Sequence, residues 1–190
     1  MERGDQREIR SGCRDESEAG RYVPRENYSC EKPTLHYAGL AARECGYDIL
    51  ALEYGYQAAR TELEYREIPK IIEDSERAVR QLIGSYEEIV FISKSLGTVV
   101  AGEVHRKLGA GANVRHIYLT PIPDTLPYIH ETRAVVVYGT KDDLFPAELA
   151  SRLTASNRLK IVSIPRCQSC PGDGTGGRKL GDFARAHRFI

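Results

Sequence analysis

The sequence predicts an α/β domain: a mostly parallel, doubly wound sheet with helices on both faces. Two observations carry that prediction. Strand patterns alternate with helix patterns through the middle of the chain, and the strands are short, almost continuous apolar runs such as EEIVFIS at 87–93. Strands of that kind are buried on both faces, which is the setting of a parallel sheet covered by crossover helices. The length of 190 residues fits one domain with a sizeable core.

Each element has a local reason. PTLHYAGLAARECG, 33–46, reads as a helix stopped at Gly46, and YDILALEY, 47–54, as the strand that follows. IPKIIEDSERAVRQLIG, 68–84, places Ile68, Ile71, Ile72, Val79, Leu82 and Ile83 on one stripe; Pro69 suits the first turn and Gly84 the stop. After the strand at 87–93 come a helix at 96–111, strands at 114–121 and 132–140, a short helix at 145–155 and a last strand at 158–165. The ends do not fit this scheme. Residues 1–25 have scarcely any aliphatic periodicity, and 166–190 are polar, Gly-rich and without a core stripe. The expected organisation is therefore a poorly structured segment at 1–25, a core at 26–165 and an aberrant, flexible tail at 166–190. Without a good early strand, one edge of the sheet is expected to be exposed.

Composition excludes several function classes. Lys+Arg and Asp+Glu both number 27, so there is no electrostatic case for nucleic acid or an anionic membrane. No apolar run approaches ~18 residues, so no membrane span is expected. The first residues lack the apolar stretch of a secretory signal, and five cysteines without one predict reduced thiols in a cytoplasm.

The most informative text is FISKSLGTVVAG, 91–102. A strand runs into Ser93-Lys94-Ser95-Leu96-Gly97 and straight into a helix, the context of a G-x-S-x-G nucleophile elbow. Ser93 replaces the first Gly with another small residue, and Gly97 permits close packing of helix on strand. Such a turn lifts the Ser95 hydroxyl to the carboxyl end of the sheet. The helix that follows aims its free N–H groups there, with Leu96 N–H as one oxyanion donor. The plainer reading of Ser95 is a helix N-cap. A P-loop fits less well, because the glycines ahead of SKS are missing.

On these residues the chain, over roughly 27–165, resembles the α/β-hydrolase superfamily, in particular its small, lid-poor bacterial serine hydrolases. A second motif carries the resemblance: VVVYGTKDDLFP, where Gly139 and Asp142 match the family's G-x-x-D spacing and Pro146 follows. The resemblance implies Asp142 as the triad acid, with the exposed-looking Asp143 as competitor; a turn or N-cap role is the plainer reading of Asp142. A third match is partial. The family's oxyanion loop is Pro-Gly, whereas here Pro24 is followed by Arg25, which leaves the second oxyanion donor near Asn27. The implied activity is hydrolysis of a carboxylic ester or related acyl bond of a small molecule, without cofactor or metal. The alternative is a non-catalytic domain of the same fold that binds a ligand or a partner protein.

The resemblance also implies a histidine after the last strand, in a loop of the type G-x-N-H. The text there is RCQSC, 166–170. Read one base along, codons compatible with 166–174 permit Gly-Ala-Asn-His-Ala-Leu-Glu-Thr-Gly. Codons compatible with 19–25 permit Leu-Val-Val-Met-Phe-Pro and the start of a Gly codon. These shifted readings restore both the histidine loop and the Pro-Gly loop, and point to frame breaks near residues 25 and 166.

Other motifs carry less. Gly172, Gly174 and Gly177 fit G-x-G-x-x-G, but no second strand and ribose-binding acid follow. Cys167 and Cys170 form a C-x-x-C without a second pair or nearby histidines. His187 lies about twenty residues past the expected place. His36, His105, His116 and His130 read as structural or solvated, and Lys94 as lining the site mouth or facing solvent. TPIPDTLPYIHE, 120–131, is expected to form a short cap, with Leu126, Tyr128 and Ile129 hinting at an apolar acyl group.

Overall fold

A computed structural model describes residues 29–109 and 111–166. Asn27, the segment 1–25 and the tail beyond Arg166 lie outside the described residues, and with them His187, the C-x-x-C and the glycine motif.

Four strands, β1 (Ile89–Lys94), β2 (Val114–Leu119), β3 (Arg133–Gly139) and β4 (Leu159–Ile164), pair in chain order, every pair parallel. Each crossover therefore steps the same way, and all four carboxyl ends line one edge of the sheet. The helices are α1 (Pro33–Glu44), α2 (Gly55–Ala58), α3 (Ile68–Arg80), α4 (Leu96–Leu108), α5 (Leu126–Glu131) and α6 (Ala147–Ala150).

Period-two alternation along the strands sorts their side chains between two faces. Ile117 and Leu119 of β2, Val135 and Val137 of β3, and Val162 and Ile164 of β4 pack with Leu35 of α1. The intervening residues Tyr118, Ala134, Val136, Tyr138 and Leu159 pack with Ile129 of α5, Ala150 of α6 and Phe145. Ile89 and Phe91 of β1 join Val100 and Val104 of α4 and Ile71 and Val79 of α3. Both faces are covered, which is why these strands read as unbroken apolar runs. The α3 stripe faces inward through Ile71 and Val79, as its spacing predicts, while the i,i+4 pair Arg80–Glu76 stays exposed.

Two expectations need correction. Residues 47–54 form no named strand: only Ala51 and Leu52 are bridge positions. A strand needs a longer run of backbone partners than these two bridges, and side chains also tie the start of the segment. Tyr47 donates to Glu88, and Tyr86 donates to Asp48. Nor is 120–131 a cap. It is the crossover from β2 to β3: a single 3-10 turn (Pro123–Thr125) followed by α5. Its apolar residues serve the core: Ile129 is 1% exposed, Leu126 packs beside it, and Tyr128 lies over Gly102 of α4 while its hydroxyl donates to Glu103. His130 lies in α5.

The α4–β2 contact holds a buried histidine. His116 on β2 is 1% exposed, stacks on Tyr118 and His105, and shares a 2.9 Å hydrogen bond with His105 of α4. Burial, and then the neighbouring His105, lower its pKa to about 3, and burial lowers that of His105.

Two stability predictions follow from this packing. A Cβ at Gly102 would lie 2.3 Å from Tyr128 Cγ and 2.6 Å from its Cβ, atoms that cannot move without shifting α5. Gly102→Ala is expected to lower the urea unfolding free energy by about 1–3 kcal/mol. Above pH 6.5 His116 is neutral in both folded and unfolded chains. Below that, the unfolded chain takes up a proton that the folded chain refuses until near its depressed pKa. Stability should therefore be full above pH 6.5 and fall by up to about 1.4 kcal/mol per pH unit on acidification. Urea titrations at pH 7, 6 and 5 check this, with a flatter profile expected for His116→Phe.

Candidate active site

The elbow is built from a single residue. β1 ends at Lys94 and α4 begins at Leu96, so Ser95 alone reverses the chain, at φ 50 and ψ −126. For a residue with a Cβ this backbone costs on the order of 1–3 kcal/mol and persists only where the surroundings over-determine it. They do so here. Ser95 N–H donates to Leu119 O of the neighbouring strand at 3.1 Å, and Ser95 C=O accepts Thr98 N–H at 2.8 Å. Thr98 Oγ1 donates to the same carbonyl at 2.5 Å.

The Ser95 side chain takes no part in this. It makes no capping bond to α4, and its Oγ, buried, has no hydrogen-bond partner among the described residues. The N-cap reading of Ser95 is thus set aside: the residue stands at the N-cap position without using its hydroxyl as a cap. The oxygen lies at the carboxyl edge of the sheet but under cover, Ser95 being 1% exposed.

The next two strands also end in sharp turns. β2 runs into Thr120, whose φ of 43 is unusual for a β-branched residue; its hydroxyl is buried and without a partner among the described residues. Thr120 N–H continues the ladder to Val137 O at 2.7 Å, so Thr120 stands between the ends of β1 and β3. After β3 the Gly139-x-x-Asp142 spacing acquires a structural meaning. Asp142 N–H donates to Gly139 O at 3.0 Å, closing a turn that places the carboxylate at the same edge as Ser95, two strands away. Asp142 is 2% exposed, and its Oδ1 accepts the N–H groups of Leu144 and Phe145 at 3.0 and 3.3 Å. Asp143 is exposed. The turn reading of Asp142 describes both of these bonds, which its Oδ1 accepts.

Leu96 is the first residue of α4, so its N–H has no carbonyl within the helix to bond and points, with the positive end of the helix, toward the elbow. Asn27 lies outside the described residues. Lys94 was expected at the site mouth or in solvent; it is instead fully buried as the last residue of β1, on the face that carries Ile92. The described histidines are placed elsewhere: His36 and His130 are exposed on α1 and α5, and His105 and His116 pair beneath α4. None of them hydrogen-bonds Ser95. Thr98, Thr120 and Thr125 were not singled out from sequence. Thr98 had a signal, since it stands three residues after the N-cap position, where side chains bond back to the cap.

Among the described residues no His, Cys, Asp and Glu cluster suits a metal ion, and no helix is long and apolar enough to cross a membrane.

No protein-family model and no curated protein matches the chain. Solved structures do. An α/β serine hydrolase homologue from Coxiella burnetii superposes with a TM-score of 0.60 at 13% identity, covering 96% of this chain and 85% of that one. A candidate hydrolase of the α/β superfamily from Xanthomonas campestris pv. campestris superposes with a TM-score of 0.56 at 13% identity, covering 80% and 86%. At this identity the likeness speaks for the fold, and the fold is that of the α/β-hydrolases.

The strained backbone at the elbow yields a test that needs no substrate. Glycine accepts φ 50, ψ −126 freely, so Ser95→Gly should be about 1 kcal/mol more stable than Ser95→Ala in parallel urea titrations.

Proposed function

We propose that the chain is built as a serine hydrolase acting on a carboxylic ester or related acyl bond of a small molecule, without cofactor, in a reducing cytoplasm. The observation that carries this reading is Ser95: a residue in a costly conformation at the carboxyl edge of a parallel sheet, with a hydroxyl that the fold does not use. Structural serines in such places cap helices; a reserved hydroxyl above a helix N-terminus suits a nucleophile.

In this reading Ser95 Oγ attacks the acyl carbon and the carbonyl oxygen gathers negative charge. Leu96 N–H receives that charge, aided by the dipole of α4 and by a second donor near Asn27. Collapse expels the alcohol and leaves an acyl group on Ser95, which water then removes. Asp142, at the same edge and two strands from Ser95, would orient a histidine that takes the serine proton and returns it to the leaving group. The four described histidines are engaged or exposed elsewhere, which supports an impaired general base in this chain and, with the shifted codon readings, frame breaks near residues 25 and 166. The same observation favours the second reading, a ligand- or partner-binding domain that keeps the fold without turnover.

A fluorophosphonate probe separates these readings. Labelling of the chain that disappears in Ser95→Ala is expected for the hydrolase reading, at a rate well below that of a chain re-encoded in the shifted frame at both ends. Absence of labelling in both chains would leave the binding domain. Nucleotides at codons 166–174 that cannot spell histidine in the next frame would remove the frame-break account.

A further inference from the structure

The fold reserves the Ser95 hydroxyl, yet α4 needs something to fix its first turn. That task falls on a chain of hydroxyls. Thr98 Oγ1 lies 2.5 Å from Ser95 O and 2.6 Å from Thr125 Oγ1, and Ile122 N lies 3.3 Å from Thr125 Oγ1. Both threonines are completely buried.

The proton positions follow without ambiguity. A carbonyl only accepts, so Thr98 must give its one hydroxyl proton to Ser95 O. The contact between the two threonines must then be donated by Thr125. Thr125, having given its own proton, accepts from Ile122 N–H. The order Ile122 N–H to Thr125 to Thr98 to Ser95 C=O therefore runs one way, and each donor is used once. Thr125 N–H also donates to Ile122 O at 2.9 Å, which locks the far end of the chain to the turn after β2.

From this we infer that Thr98 and Thr125 are positioning residues for the nucleophile. They replace the side-chain N-cap that Ser95 does not supply, and they hold the Ser95 carbonyl, hence its φ and ψ, from the β2–α5 turn. The inference rests on the reading of Ser95 as nucleophile and extends it. Neither threonine touches substrate in this assignment; both act through the orientation of residue 95.

The test separates positioning from folding. Thr98→Val alone strands the Thr125 hydroxyl in the interior and lowers stability. The double variant Thr98→Val/Thr125→Val removes both hydroxyls together, leaves only the half-buried Ile122 N–H without its acceptor, and should unfold at a urea midpoint closer to the parent's than Thr98→Val does. Two readouts are then taken on the double variant and on Thr98→Ser. Fluorophosphonate labelling of Ser95 should slow about tenfold or more at saturating probe in the double variant, with little change in the concentration giving half-maximal rate, and should be restored in Thr98→Ser. Hydrogen exchange of the Ser95 amide, bonded to Leu119 O, should accelerate about tenfold in the double variant, while the amides in the middle of β3 do not change. Unchanged labelling and unchanged Ser95 exchange in a folded double variant would overturn the inference. If neither the parent nor the re-encoded chain labels, the hydrolase reading falls, and the exchange measurement still decides: acceleration confined to the elbow supports positioning, and its absence overturns it.

Discussion

Everything at the candidate site depends on turning the chain from strand to helix within one residue. β1 is extended through Lys94, and Leu96 is already helical. The single residue between them takes positive φ, where the other helices here begin from a residue at negative φ, and Ser95 bears that cost as backbone strain. The strain is tolerable because both peptide groups of Ser95 are anchored: its N–H to Leu119 on β2, its C=O to the first turn of α4. Those anchors hold because β2 and α4 are themselves buried, with Tyr118, Val100 and Val104 almost wholly removed from water.

Parallel pairing in chain order then does the rest. All carboxyl ends fall on one edge, so whatever follows β1, β2 and β3 is brought side by side without any special interaction. Here those residues are Ser95, Thr120 and, one tight turn beyond β3, Asp142. Two adjacent strands end in positive-φ hydroxyl residues whose oxygens are buried and unpartnered among the described residues. Buried hydroxyls normally find partners, and strain concentrates where geometry matters more than stability. The carboxyl edge is also where open α/β sheets bind their ligands.

How much of this is legible in sequence depends on whether the cause is local. The four strands could be read because burial on both faces imposes unbroken apolar text, and the elbow could be read because strand, small residue, Gly and helix are contiguous. The Gly139-to-Asp142 spacing was legible as a motif, and its cause proved to be a turn bond between the two residues themselves. Failures came where a partner decides the outcome. Residues 47–54 alternate like a strand but bridge only at Ala51 and Leu52. Leu126, Tyr128 and Ile129 have the same composition whether they cap a pocket or fill a core; Tyr128 fills the space that Gly102 leaves, and nothing in either residue's neighbourhood announces the other. Lys94 reads as polar, yet its place as the last strand residue buries it. The Thr98–Thr125 pair spans 27 positions.

The same distinction explains why the elbow can be intact in a chain whose ends depart from the family pattern. Among the described residues, every group that fixes Ser95 lies between β1 and the β2–α5 turn: Leu119, Thr98, Thr125 and Ile122. In the proposed reading, changes near either end would spare these four anchors of residue 95. In the same reading they would remove the proton acceptor instead, because the resemblance implies a histidine after β4. On that reading the nucleophile's position and its activation are encoded in separate parts of the chain. The first would rest on backbone strain and a directed run of hydroxyls, the second on a loop elsewhere, so that loss of the second need not relax the first.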